Sequence, residues 1–231
     1  LPKNKKLVQL LESSKTKIFG DMVLVDVFKV LAEFNFDEVK TNDFLTEISQ
    51  KENAHLLINS SIIHNAGADV ASEVASALHL AFHFYKEFEV RSRDIYFMLS
   101  LDSMYFLSIA KTRAMRYLYE TILEKNDISP DRFHIIAKSS LREMTLYDPW
   151  VNMLRSTTSA SAAFIGGADI CIPQSYDVLD QVYAYAKSSD LGLRQSRNIF
   201  HILKEESNLG FVVDPSKGSH TIEDLTRQII T

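Results

Sequence analysis

LLINSSIIHNAGADVASEVASAL, Leu56 to Leu78, runs from an unbroken apolar stretch through small polar residues and a histidine into a helical pattern. An apolar run without alternation reads as a strand buried on both faces. The segment after it puts Val70, Val74, Ala77, Leu78, Ala81 and Tyr85 on one face at the 3.6-residue period. A buried strand feeding an amphipathic helix is one βα unit. Parallel α/β proteins place their chemistry at the end of such strands. His64 stands at that junction, so the first question is whether it is a catalytic group.

Further units flank this one. KIFGD (Lys17 to Asp21) is the expected first strand, and NDFLTEISQK (Asn42 to Lys51) opens with capping residues and reads as a short helix. AHLLINS (Ala54 to Ser60), DIYFMLSL (Asp94 to Leu101), RFHIIAKSS (Arg132 to Ser140) and ADICIPQ (Ala168 to Gln174) are the following strands. Between and after them lie helical stretches at Ser103–Lys125, Asp148–Gly167 and Arg194–Ser207. Pro149 suits a first helical turn, where the missing N–H is no loss, and Gly166-Gly167 suits a helix end. The reading is an α/β chain of five βα units with parallel strands. A closed (β/α)8 barrel needs eight units and about 250 residues, so the chain is expected to be the C-terminal part of one barrel domain.

Composition narrows the functions. The chain has 231 residues, a net charge of −5 and a pI near 5.8. A phosphate backbone is repelled on balance, so nucleic acid is not an expected partner. The single cysteine, Cys171, forms no internal disulfide, and no run approaches a membrane span of about 20 apolar residues. With no secretory h-region in LPKNKKLVQLLESSK, a cytoplasmic chain without membrane contact is expected.

The candidate chemical groups are sparse. His79 and His83 share a helix face at metal-ligand spacing, but the intervening Leu-Ala-Phe lacks the glutamate of a zinc-protease helix. They read as a solvent-facing or satisfied pair, and no metal site is expected. Cys171 reads as a small buried hydrophobe. Gly166-Gly167 ends a helix rather than opening one over a phosphate, and Lys217 in DPSKGS belongs to a turn cluster. The strand ends carry Ser60, Ser61 and His64; Ser100 and Asp102; Lys138, Ser139 and Ser140; Pro173 and Gln174. Ser60, His64, Lys138 and Gln174 are the substrate-binding candidates. None of these groups forms an evident acid/base pair, metal cluster or nucleophile triad.

DPWVNMLRSTTSASAAFIGGADICIPQSYD, followed by RNIFHILKEESNLGFVVDPSKGSHTIEDLT, resembles the methylmalonyl-CoA mutase family of adenosylcobalamin-dependent isomerases. Asp148-Pro149, Arg155, Gly166-Gly167, Ser175, Asp177, Arg197-Asn198, Glu205-Glu206, Asp214-Pro215 and Gly218-Ser219 keep the family's order and spacing. AGAD (Ala66 to Asp69) and IAKTRA (Ile109 to Ala114) fit the preceding units. The resemblance implies a (β/α)8 barrel threaded by acyl-CoA, joined to a separate cobalamin domain that residues 1–231 do not include. It implies radical interconversion of methylmalonyl-CoA and succinyl-CoA in the chains that are active.

The same resemblance shows where this chain departs. Active chains read Tyr-His-Met-Gln-Glu-Ala-Gly-Ala where this one has Ser61 to Ala68, so the family's catalytic histidine falls on Ile62, and His64 falls on a glutamine. The substrate-facing His and Gln fall on Ile136 and Lys138, and the family's Arg and Ser on Asp94 and Tyr96. Isoleucine donates no hydrogen bond to a thioester carbonyl, and Asp94 would repel anionic groups. IIHNAGADVASE is instead similar to the small subunit of the heterodimeric mutases, which keeps the barrel without carrying out the reaction.

The expected function is therefore that of the non-catalytic small subunit, assembling with a large subunit that carries the adenosylcobalamin. The alternatives are an acyl-CoA mutase domain with an altered pocket and another substrate, or an acyl-CoA-binding barrel without turnover. A barrel lacking its first strands is also expected to have two open parallel edges. Its bare apolar inner face would carry Leu57, Ile95, Phe97 and Ile135 or their alternating neighbours, and the chain would self-associate.

Overall fold

The computed structural model describes residues 15–17, 23–33, 43, 46, 54–88, 94–128, 132–183 and 188–231. Strands β1 (Lys15–Lys17), β2 (Val23–Asp26), β3 (Ala54–Asn59), β4 (Ile95–Leu101), β5 (His134–Ser139) and β6 (Ile170–Ile172) form one sheet in sequence order. β2 to β6 pair in parallel, each with the next, and β1 pairs antiparallel with β2. Helices α1 (Val27–Glu33), α2 (Ser61–Asn65), α3 (Val70–Phe88), α4 (Tyr105–Lys125), α5 (Val151–Ile165), α6 (Val178–Tyr183), α7 (Asp190–His201) and α8 (His220–Ile230) complete the described elements. A π-helical turn, Ile202–Glu206, continues α7. Five parallel strands, each followed by helix, make a partial (β/α)8 barrel of the kind expected.

Alternation along the strands sorts two cores. Val25, Leu56, Ile58, Ile95, Phe97, Leu99 and Ile135 point outward and pack with Val74, Ala77, Leu78, Ala81 and Phe84 of α3 and Met115, Tyr119 and Leu123 of α4. Leu24, Leu57, Tyr96, Met98 and Ile136 point to the concave face and pack on one another, with Ile170 and Ile172 against them. This overturns part of the edge expectation. Ile95, Phe97 and Ile135 belong to the helix side, and the concave apolar residues are buried rather than bare. The β2 edge of the parallel sheet is also covered by β1.

The four strands expected from Ala54 onward are present and parallel, although the last shrinks to three residues. The first is corrected. Lys17 ends the antiparallel β1, residues 18–22 lie outside the described residues, and the strand that opens the first βα unit is Val23–Asp26. The helix expected over Asn42–Lys51 lies largely outside the described residues, with Asp43 and Thr46 helical. The last long helix starts at Asp190 rather than Arg194. Ser189 is its N-cap, and its side chain accepts a hydrogen bond from the Gly192 N–H at 3.0 Å. No described helix is long and apolar enough to cross a membrane.

Gly166 closes α5 where it crosses α4. A Cβ there would stand 3.0 Å from Thr112 Cβ and 3.2 Å from the Ile109 carbonyl, so the crossing requires a glycine.

Candidate functional site

The strand ends gather around a step in the sheet. β3 turns away after Asn59, and the Ser60 N–H gives the Met98 carbonyl its bond at 3.0 Å. β4 continues to Leu101. Because alternate residues of a strand direct both backbone groups to the same neighbour, Ser100 faces the space that β3 has left. Two side chains fill it. Glu73 of α3 accepts the Ser100 N–H at 3.0 Å, and Lys111 of α4 donates to the Ser100 carbonyl at 2.6 Å. Lys111 also donates to Glu73 Oε2 at 2.7 Å, and Ser60 Oγ donates to Glu73 Oε1 at 3.1 Å. A strand edge needs one acceptor and one donor there, and an acid–base pair supplies both.

His64 belongs to the same group. Its Nε2 is 2.8 Å from Ser140 Oγ at the end of β5. Its Nδ1 lies 3.2 Å from Glu73 Oε2, a close electrostatic contact without hydrogen-bond alignment. Burial pushes the Glu73 carboxyl up, but His64, Lys111 and the Ser100 N–H outweigh it and hold it below the usual value.

Ser140, His64 and Glu73 thus stand in the order of a nucleophile, base and orienting acid. All three side chains are buried. Ser140 is wholly enclosed, its Oγ also accepts the Arg142 N–H at 3.1 Å, and Glu73 is already neutralised by Lys111. Through these contacts His64 links α2 to the end of β5.

The substrate-binding candidates do not come together. Ser60 and His64 are inside this brace on the helix side. Lys138 points to the concave face beside Ser100 and Ile172 by register. Gln174 lies past β6, where its carbonyl accepts Ser156 Oγ at 2.9 Å. Ile62, at the position expected for the family's catalytic histidine, is on α2 and 44% exposed. Ile136 is wholly buried in the concave cluster. Asp94 sits at the opposite, N-terminal end of β4, 3.2 Å from His55 Nδ1, and Tyr96 stacks on His134 at 4.7 Å.

Sequence reading missed the Glu73–Lys111 pair and the clamp made by Asn152. Asn152, buried at the start of α5, accepts the Thr145 N–H at 2.9 Å and donates to the Thr145 and Tyr176 carbonyls at 2.8 and 2.9 Å. One amide thereby ties the loop after β5 to the loop after β6. Asp177 is held in that second loop by the Ser189 N–H at 2.7 Å.

The remaining candidates are placed plainly. His79 and His83 are exposed on α3, and no group of three metal-ligating side chains occurs among the described residues. Burial pushes the Cys171 thiol up to about 12, so it is no thiolate nucleophile. Lys217 is exposed in a turn. A cavity of about 940 Å³ lies away from the strand ends between α4, α5 and α8. Its arginines are held by carboxylates, Arg113 by Asp214 and Glu223 and Arg116 and Arg132 by Asp169.

A parallel sheet of five strands interleaved with helices, its strand ends joined by the buried Ser60–Glu73–Lys111 brace, defines a partial (β/α)8 barrel. The methylmalonyl-CoA mutase family profile matches residues 39–231, and the chain belongs to that family. Over 182 residues it is 33% identical to the probable methylmalonyl-CoA mutase small subunit of Mycobacterium tuberculosis, a match covering 75% of this chain and 30% of that protein. It is 35% identical over 188 residues to the small subunit of Porphyromonas gingivalis, covering 75% and 29%. To the methylmalonyl-CoA mutase of Escherichia coli it is 29% identical over 175 residues, covering 71% and 24%. The matched part of the chain therefore spans about 30% of the length of its small-subunit relatives.

Proposed function

We propose that this chain is part of a non-catalytic small subunit of an adenosylcobalamin-dependent methylmalonyl-CoA mutase. Its role is to assemble with, and stabilise, the large subunit that interconverts methylmalonyl-CoA and succinyl-CoA in the cytoplasm. The observation that carries this reading is Ile62, an exposed aliphatic side chain at the position of the family's catalytic histidine. Ile136 supports it by making the wall an apolar contact.

The residues do not fit a corrin cofactor. His64 is enclosed and committed to Ser140 and Glu73, while His55 and His134 lie at the starts of their strands, away from the mouth. We place adenosylcobalamin on the partner subunit. An acyl-CoA-binding barrel without turnover retains one point in its favour, the Lys138 cation on the concave face. Against it, the concave apolar side chains pack on one another.

Co-expression with a candidate large subunit tests the proposal. A stable complex on size exclusion, lost when the pair is expressed apart, supports assembly. Elution of the two chains as separate species at high concentration contradicts it.

A further inference from the structure

A groove on the outer face of the barrel differs in chemistry from the acidic chain around it. α5 and α7 pack on each other through Ala160, Ile199 and Leu203. Outside that contact they leave a groove of about 280 Å³, with Met153 and Thr157 on one wall and Leu191, Gln195, Asn198 and Ile202 on the other. Leu191 to Ile202 is about three turns of helix, or about 16 Å. The rim is apolar where a solvent-facing helix is ordinarily polar. Leu154 is 70% exposed, Leu191 53% and Ile202 47%. The π-helical turn that continues α7 keeps Ile202 outside while Leu203 turns in. In the wall, Gln195 Nε2 and Oε1 are both enclosed and have no hydrogen-bond partner. A side-chain amide offers donors and an acceptor, and leaving both unpaired in an enclosed place is costly.

The charge of this face points to one kind of occupant. The chain carries −5 overall, yet α5 contains no carboxylate, and neither does the stretch from Leu191 to Lys204. That stretch has Arg194, Arg197, His201 and Lys204 instead. Lys204 lies 3.5 Å from Glu205, and Arg155 of α5 acts on Glu143 beyond the groove. Arg194 and Arg197 are exposed and form no ion pair with a described residue. The helix dipole favours cations only in the last turn, whereas Arg194 lines the groove from the second turn of α7. An apolar groove with unneutralised guanidinium groups on its rim fits an amphipathic helix whose apolar stripe is flanked by carboxylates.

We propose that the α5–α7 groove is the face on which the large subunit docks, through an acidic amphipathic helix. Its apolar stripe sits among Leu154, Leu191 and Ile202, and its carboxylates meet Arg194 and Arg197. Gln195 turns to a polar side chain of that helix. The inference rests on the small-subunit reading and adds where the contact lies.

The test uses the whole polypeptide and a large subunit, with affinity read by calorimetric titration. Leu191→Glu, Ile202→Glu and the pair Arg194→Glu with Arg197→Glu change exposed positions, so the wild-type circular dichroism and melting temperature are retained. Each of the three is expected to weaken the complex about tenfold or more, the scale of an interface anchor. Val213→Glu, exposed outside the groove, is expected to change it by less than about twofold. Added salt is expected to weaken the wild-type complex and to leave the double arginine variant little changed. A wild-type complex that no groove variant weakens overturns the docking face and leaves the small-subunit reading in place. Failure of the wild-type chain to bind overturns that reading, and the docking face with it. Groove variants that abolish self-association of this chain and spare the complex put a second copy in the groove, which also overturns the proposal.

Discussion

Glu73 gathers Ser60, Ser100 and Lys111 on its two oxygens, with His64 alongside, and none of these groups has access to water to replace a lost partner. Removing one member of a buried ion pair leaves the other charge uncompensated, at about 3–5 kcal/mol. Glu73→Gln is expected to destabilise by that amount in urea unfolding at neutral pH, and Glu73→Gln with Lys111→Met to recover much of it. The carboxyl lies below its ordinary value of 4.5, so its contribution is present above that value and lost as pH falls through the folded pKa. The stability gap between wild type and Glu73→Gln should therefore narrow in strong acid. A gap that widens would mean the carboxyl is held neutral. His64→Ala should cost about 1–3 kcal/mol, the scale of an orphaned buried partner, yet change the rate of an assembled mutase only a few-fold. A loss of about a thousandfold, as for a deleted catalytic donor, would make His64 part of the machinery. The departures at Ile62 and Ile136 were legible in sequence because each replaces a polar type at a known place in a motif. The Glu73–Lys111 pair was not, because 38 residues separate its members. The available signal was a charge on the apolar stripe of each helix, Glu73 between Val70 and Val74, and Lys111 beside Ala114 and Met115.

At the scale of elements, the strands from Ala54 onward were readable because each is an apolar run closed by polar residues. β2 was not. Val23–Asp26 runs directly into Val27–Glu33 with no glycine or proline between them, so strand and helix merge into one apolar stretch. Asp26 supplies the break instead, capping the helix with its side chain. The loops after β5 and β6 depend in the same way on one residue. Asn152→Ala removes three hydrogen bonds from part-buried backbone groups, and leaving such groups unpaired costs about 1–3 kcal/mol. Hydrogen exchange should then accelerate across residues 141–150 and around Tyr176 while β4 stays protected. Unchanged exchange in those loops would show that the clamp is redundant.

For the whole molecule, the apolar concave residues are buried against one another, and the outer edge of the three-residue β6 is the parallel edge that remains for self-association among the described strands. Light scattering should show association that a proline at Cys171 weakens. Association indifferent to that change would place the contact elsewhere. The larger claim is that this barrel assembles without reacting. It is tested most directly by measuring succinyl-CoA formation from methylmalonyl-CoA with adenosylcobalamin, using this polypeptide alone and then reconstituted with a large subunit. The account predicts no turnover by the chain alone and turnover by the reconstituted pair that survives Lys138→Ala and His64→Ala. Cobalamin-dependent succinyl-CoA formation by this chain alone would contradict it.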